Sequence, residues 1–244
     1  MSAQSSTLSG LGFRALAHAA LDLVVPGACE GCGAHGPALC LDCVYPLYAD
    51  PELAWPTPSP RGLPPPYVVT RYERGIRDAI VAHKERQRYA VAGELGGALA
   101  RSVAAALVEQ GWSGRGQIVL VPAPSGRAAI RRRGDDPTRR LARVAAAVLR
   151  REGAQVAVIS ALRQSRAVFD QAGLTARERH ANLREGMQVS LRAIPRLRGK
   201  VLVLVDDVIT TGSTLAEAAR ALRATGLNPL AGALIAATQR RYHG

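Results

Sequence analysis

Asp206 and Asp207 are neighbours, and a run of small hydroxyl residues around one glycine, Thr210-Thr211-Gly212-Ser213-Thr214, starts three positions later. Adjacent carboxylates can grip vicinal sugar hydroxyls or engage a divalent cation. Held about 4 Å apart they repel by roughly 4 kcal/mol at an effective dielectric near 20, and either partner relieves that repulsion. The hydroxyls are hydrogen-bond donors, Gly212 lets the backbone come close to a ligand, and unpaired N–H groups at a helix start favour an anion. A ligand held there would meet acids able to engage a metal or sugar hydroxyls, beside amides able to engage a phosphate.

Such a site needs a strand before it and a helix after it. Residues 201–205 read Val-Leu-Val-Leu-Val, too short for a helix and apolar at every position, the pattern of a strand buried on both faces of a parallel sheet. Residues 215–225 read as a helix, with Ala216, Ala219, Leu222 and Arg223 at helical spacing and Gly226 placed to end it. Strand, loop and helix form the first half of a βαβ unit, whose ligands bind beyond the carboxyl ends of the strands. Thr214 and Glu217 also spell a capping box, a structural use of the same loop that is compatible with a ligand.

The second constellation is Cys29-x-x-Cys32 with Cys40-x-x-Cys43, which together hold all four cysteines. Four thiolates suit one tetrahedral zinc with no open position, hence a structural role. A redox pair and plain free thiols are the rival readings. Residues 51–66 hold seven of the fifteen prolines and read as a stiff linker or strap. Upstream, Phe13, Leu16, Ala20, Leu23 and Val24 share one helical face, and His18 and Asp22 interrupt the apolar stretch. That favours an amphipathic packing helix over a signal peptide. There is no run of 18 apolar residues, so no membrane span is expected, and the chain reads as cytoplasmic.

The remaining periodicity predicts strands at 67–72, 118–121, 156–159, 188–191 and 230–237, and helices at 74–85, 90–110 and 141–151. A formal net charge of +13 attracts phosphorylated ligands and nucleic acid. Only Lys84 and Lys200 are lysines; every other basic residue is arginine. Ala123-Pro124-Ser125-Gly126-Arg127 leaves the 118–121 strand abruptly, and arginines including Arg133 follow. Arginines clustered at a strand end can hold a diphosphate by bidentate contacts, or simply be solvated. The polar, basic segment with Arg163, Arg166, Gln171 and Arg179 reads either as a lid closing over an anion or as an exposed connection.

The run from Val201 to Thr214 closely resembles the phosphoribosyl-diphosphate (PRPP) motif of type I phosphoribosyltransferases. The resemblance implies that Asp206 and Asp207 meet the ribose 2- and 3-hydroxyls and that Thr210, Thr211, Gly212, Ser213 and Thr214 wrap the 5-phosphate. Purine-salvage members carry Asp where this chain has Thr210, which argues against a purine base held in their usual way. The ordered set of two Cys-x-x-Cys pairs, a Tyr-(x)-Lys region, Val-Pro-Ala-Pro with Arg-Arg-Gly, and the acidic motif resembles the ComF family along nearly the whole chain. One departure is that Arg133-Gly134 is followed by Asp135-Asp136-Pro137, where the family tends to have Phe-Asn-Gln.

The expected fold is therefore α/β: a type I phosphoribosyltransferase-like parallel sheet flanked by helices, with a small N-terminal four-cysteine zinc-binding module. Its expected parts are a helix over 1–28, the cysteine module over 29–50, the proline-rich linker over 51–66 and the transferase-like domain over 67–244. The resemblance implies Mg²⁺ bound with PRPP, diphosphate held at Ala123, Pro124, Ser125, Gly126, Arg127 and Arg133, and a link to natural competence and transforming DNA. Two functions stay open: phosphoribosyl transfer to an acceptor, or PRPP sensing by a module that engages single-stranded DNA or a competence helicase.

Overall fold

The computed structural model describes residues 27–124, 135–164 and 186–238. Its centre is a seven-stranded sheet. Strands β1 (Glu52–Leu53), β2 (Pro66–Arg71), β3 (Ile118–Pro122), β4 (Val156–Val158), β7 (Val201–Val205), β8 (Val208–Ile209) and β9 (Pro229–Ala237) form it in the order β1-β2-β9-β7-β3-β4, with β8 on β9. Every pairing is parallel except β1 on β2. The continuous apolar runs are explained by burial on both faces. Val119, Val121, Leu202 and Leu204 face one core, while Ile118, Leu120, Val203 and Val205 face the other.

On one side lie α2 (Arg74–Glu85), α3 (Ala92–Glu109) and α4 (Pro137–Arg151); on the other lies α6 (Ser213–Arg223). Helix α3, with the single 3₁₀ turn before it, is the one described helix long and apolar enough to cross a membrane. Most of it is buried against β9, β2 and α4, so it is a core helix here. Helix α4 starts four residues earlier than the periodicity predicts. Asp136 caps it by accepting from Thr138 N and Arg139 N, Pro137 opens its first turn, and Asp135 pairs with Arg140. The departure from the family pattern at Asp135-Asp136-Pro137 thus builds a helix start.

The proline-rich segment packs as a strap on the sheet edge. Its β1 pairs with β2, Leu63 is buried, and Gly232 N donates to Pro65 O. The cysteine module adds the short α1 (Leu41–Val44), and Cys29, Leu39, Cys43 and Leu47 join the same core as α2 and α3. A two-stranded hairpin, β5 (Leu162–Gln164) with β6 (Met187–Val189), stands apart from the sheet, and α5 (Ile194–Leu197) follows it. Arg163, expected in a lid, lies in β5 opposite Gln188. Ala28, the last residue of the expected N-terminal helix, instead bridges to His35. The rest of that helix (1–26) lies outside the described residues. So do Ser125, Gly126, Arg127, Arg133, Arg166, Gln171 and Arg179.

Candidate functional site: an acid pair and a hydroxyl loop at the strand ends

The acid pair sits where β7 ends and β8 begins. Register against β9 is kept across the gap, with Val205 opposite Ala233 and Val208 opposite Ala236. Asp206 and Asp207 therefore occupy a short break in a strand anchored on both sides. Asp206 N donates to Ala233 O, and Asp207 O accepts from Ile235 N and Ala236 N. The carboxylates are held as firmly. Asp206 Oδ1 accepts from Asp207 N, and Asp207 Oδ1 from Val208 N, each at 2.9 Å.

Asp207 is buried, and its Oδ2 lies 2.7 Å from Lys84 Nζ, delivered by the last turn of α2. Burial works against the Lys84 charge, but the Asp207 carboxylate outweighs it and raises the lysine above its ordinary range. Asp206 is pushed well above the usual carboxylate range, by burial and then by the charge of Asp207. The pair thus resists carrying two negative charges, and Lys84 compensates one. Ribose hydroxyls, which both donate and accept, match such a half-neutralised pair.

Beyond β8 the chain reaches the hydroxyl loop. Thr210 and Thr211 are exposed, Thr211 Oγ1 and Ser213 Oγ are 2.9 Å apart, and Ser213 opens α6. The capping box expected from Thr214 and Glu217 does not form. The helix is entered through Gly212 in the left-handed region at φ 72°, without a side-chain cap. Glu217 turns into the core instead, accepting from Met187 N and pairing with Arg220 at 2.7 Å. Ser213 N at the helix start donates to Thr211 Oγ1 at 3.4 Å, so a loop hydroxyl sits against the helix N-terminus, the end that favours an anion. A Cβ on Gly212 would stand 2.9 Å from Leu63 and 3.1 Å from Pro56, both on the strap. Gly212→Ala combines left-handed strain of about 1–2 kcal/mol with that collision. It is expected to lower the unfolding midpoint in urea; an unaltered midpoint would contradict this packing.

Ala123 N donates to Val205 O at 2.9 Å, so the Ala123-Pro124 turn leaving β3 runs directly beside the acid pair. Acid pair, hydroxyl loop and this turn share the carboxyl edge of the parallel strands, where ligands of such sheets bind. Residues 139–241 match the Phosphoribosyl transferase domain. The DNA utilization protein YhgH of Escherichia coli (strain K12) is 41% identical over 66 residues, 27% of each chain. Competence protein F of Haemophilus influenzae is 42% identical over 64 residues, 25% of this chain and 27% of that one. An Adenine phosphoribosyltransferase of Mycobacterium avium (strain 104) is 54% identical over 39 residues, 16% of this chain and 22% of the relative. The chain thus spans about a quarter of the length of these curated relatives. These matches support a ComF-like type I phosphoribosyltransferase family for the chain.

The ComF-like cysteine pairs converge as their spacing predicts. The sulfurs of Cys29, Cys32, Cys40 and Cys43 all lie within 4.8 Å of one another. Cys32 and Cys40 sulfurs are 3.6 Å apart, and Cys40 N donates to the Cys29 sulfur. Burial alone would raise Cys29, but backbone N–H groups of Cys40, Cys32 and Gly31 outweigh it and lower the thiol to about 6. Burial and the neighbouring sulfurs push Cys43 far up. Four crowded sulfurs, one of them readily ionised, fit a metal ion.

Two residues of this ComF-like site escaped the sequence reading of the chemistry. Lys84 carried a signal, being one of two lysines among 32 basic residues. His83 carried none. Its ring is buried, edge-on to Tyr89 at 6.1 Å, and Nε2 has no partner among the described residues. Arg140 lies 3.8 Å over the Tyr89 ring. Burial, then the Arg140 charge, lowers His83 to about 4. The unfolded chain therefore binds a proton that the folded chain refuses between pH 6.5 and about 4. Stability should fall through that window as pH drops, by up to about 3 kcal/mol from this residue. Denaturation of wild type and His83→Leu across pH 4–7 checks it; parallel pH profiles would refute the assignment.

Proposed function

We propose that this chain binds Mg²⁺–PRPP at the Asp206–Asp207 strand break and transfers its phosphoribosyl group to an acceptor with release of diphosphate. The observation that carries this reading is the shared edge: the anchored acid pair beside the Ala123-Pro124 turn, with the helix-start hydroxyl loop following β8 at the same carboxyl ends. Asp206 and Asp207 would hold the ribose hydroxyls, and Thr210, Thr211, Gly212, Ser213 and Thr214 the 5-phosphate. Ala123, Pro124, Ser125, Gly126, Arg127 and Arg133 would hold the diphosphate, with Arg163, Arg166, Gln171 and Arg179 closing over it. The bond from C1 to diphosphate oxygen breaks with its electron pair leaving on the diphosphate. The acceptor's nucleophilic atom bonds C1 and gives up its proton. Mg²⁺ supplies charge neutralisation on the departing diphosphate. Zinc would fill the cysteine cluster, and the reduced thiols suit a cytoplasmic setting.

Calorimetry with Mg²⁺ and PRPP tests binding, and a diphosphate-release assay across nucleobases and other nucleophiles tests transfer. Binding without release for any acceptor would replace the enzyme by a PRPP sensor. The names of the DNA utilization and competence relatives favour the second reading, in which that sensor also engages single-stranded DNA. An open groove of about 1670 Å³ lies between the cysteine module and α2, lined in part by Arg74, Arg86, Arg88 and Tyr89. Such a lining can meet phosphates and stack one base. Glu30, Asp42, Glu73 and Asp78 share the groove, so binding should be modest and fall steeply with salt. A flat salt response would count against it.

A further inference from the structure

The helix that delivers Lys84 to the acid pair is gripped at both ends by the cysteine module. At its start, Gly75 packs on the module so closely that a Cβ there would stand 3.3 Å from the Cys43 sulfur. A Cβ on Gly31 would stand 2.7 Å from that sulfur and 3.1 Å from Gly75 O. Three elements meet at this point with no space for a methyl group. Just past the other end, Arg88 Nε lies 3.3 Å from Glu30 Oε1, and Arg86 reaches Glu30 Oε2 at 3.9 Å. The backbone N–H groups of Arg86 and Arg88 both donate to Ala82 O, which ties these arginines to the last turn of α2. That turn carries Lys84, and Lys84 Nζ is 2.7 Å from Asp207 Oδ2. Gly31 and Glu30 lie between Cys29 and Cys32, so the loop that presents two of the sulfurs also touches both ends of the helix.

We propose that Lys84 positions Asp207 for the sugar, and that the loaded cysteine module sets the place of Lys84 by bracing α2. The inference rests on the PRPP reading of the acid pair and names what regulates that site. With the lysine in place, the carboxylate is pinned by a cation on Oδ2 and by Val208 N on Oδ1, which fixes its orientation. Without the lysine, a buried carboxylate loses its counter-charge and its aim. Letting the module go would free both ends of α2, and the short ion pair is the contact most sensitive to a shift of the helix. The cysteine module then acts on the sugar site at a distance, through one helix and one side chain.

The test measures PRPP affinity by calorimetry with Mg²⁺ present, on the full chain, folding being monitored by circular dichroism. Lys84→Gln should weaken binding by about tenfold or more, and Lys84→Arg should recover part of the loss. Stripping the metal with a strong chelator should weaken binding in the wild type, with recovery when zinc is returned. The same treatment should change little in the Lys84→Gln background, because the two act on one path and are not additive. If the stripped chain unfolds, Glu30→Ala in the loaded chain replaces chelation in the same cycle. Equal losses in both backgrounds would overturn the brace, and unchanged affinity in Lys84→Gln would overturn the lysine's role. Absence of PRPP binding by the wild type would remove the parent reading and this inference with it. Tight wild-type binding with an indifferent Lys84→Gln removes this inference alone.

Discussion

Replacing Asp206 and Asp207 together by asparagine should cost PRPP affinity at least about a hundredfold. Hydrogen bonds to charged groups contribute about 1.5–3 kcal/mol each, so losing two at the low end removes about 3 kcal/mol, which is near that factor. Asparagine keeps the shape, and its carbonyl oxygen can still accept from Asp207 N and Val208 N, so the strand break should survive. What disappears is the charge that faces the sugar. The single variants should separate in stability. Burial and its neighbour's charge both disfavour an ionised Asp206, so Asp206→Asn removes that penalty and leaves stability level or higher. Asp207→Asn strands the Lys84 ammonium in a half-buried position and should lower stability. Calorimetry with Mg²⁺ and PRPP, paired with urea unfolding, reads both effects. A double variant that binds as the wild type does would defeat the assignment of this site.

The strand at 201–205 and the helix at 74–85 agree with their sequence patterns to the residue, because burial alone dictates both. The former is apolar at every position, and the latter sets Ile76, Ala79, Ile80 and His83 on its buried face. Boundaries slipped where local chemistry competed with pattern. The arginines around 131–140 masked the Asp136 cap and Pro137 start of α4. The capping box at Thr214 and Glu217 is locally plausible, yet the buried Glu217 carboxylate instead accepts from Met187 N and pairs with the exposed Arg220 one turn on. A tertiary hydrogen bond, from Met187 N, overrode a local motif. The strap's contribution was illegible for a related reason. Two residues of β1 carry no period, and the contact of Leu63 and Pro56 with Gly212 joins positions about 150 residues apart. Of the sugar site, the acids and the loop were visible as one contiguous motif. Lys84 was visible as one of two lysines and in the Tyr-(x)-Lys region, but the 123 positions separating it from Asp207 leave no trace of their contact.

Removing the metal from the cysteine cluster should have the largest effect on stability. The cluster is not an appendage, since Cys29 and Cys43 are buried in the same core as α2, α3 and the inner face of β7. Structural zinc sites of this kind bind with apparent free energies of about 10–16 kcal/mol near neutral pH, and that energy is linked to folding. Even a loss of about 4 kcal/mol would lower the thermal midpoint of a chain this size by roughly 8–16 °C. The four ligands should not be equal. Cys29→Ser and Cys43→Ser put a hydroxyl in a buried position and should cost more than Cys32→Ser, whose sulfur is exposed. Acid should act in the same direction as chelation. Protonation competes with the metal for sulfur. Zinc release should therefore grow as pH falls. Metal analysis should find one zinc per chain, and melts with and without chelator across pH 5–8 read the rest. A content well below one, or melts indifferent to chelator, would reduce the cluster to four reduced thiols and leave α2 braced by packing alone.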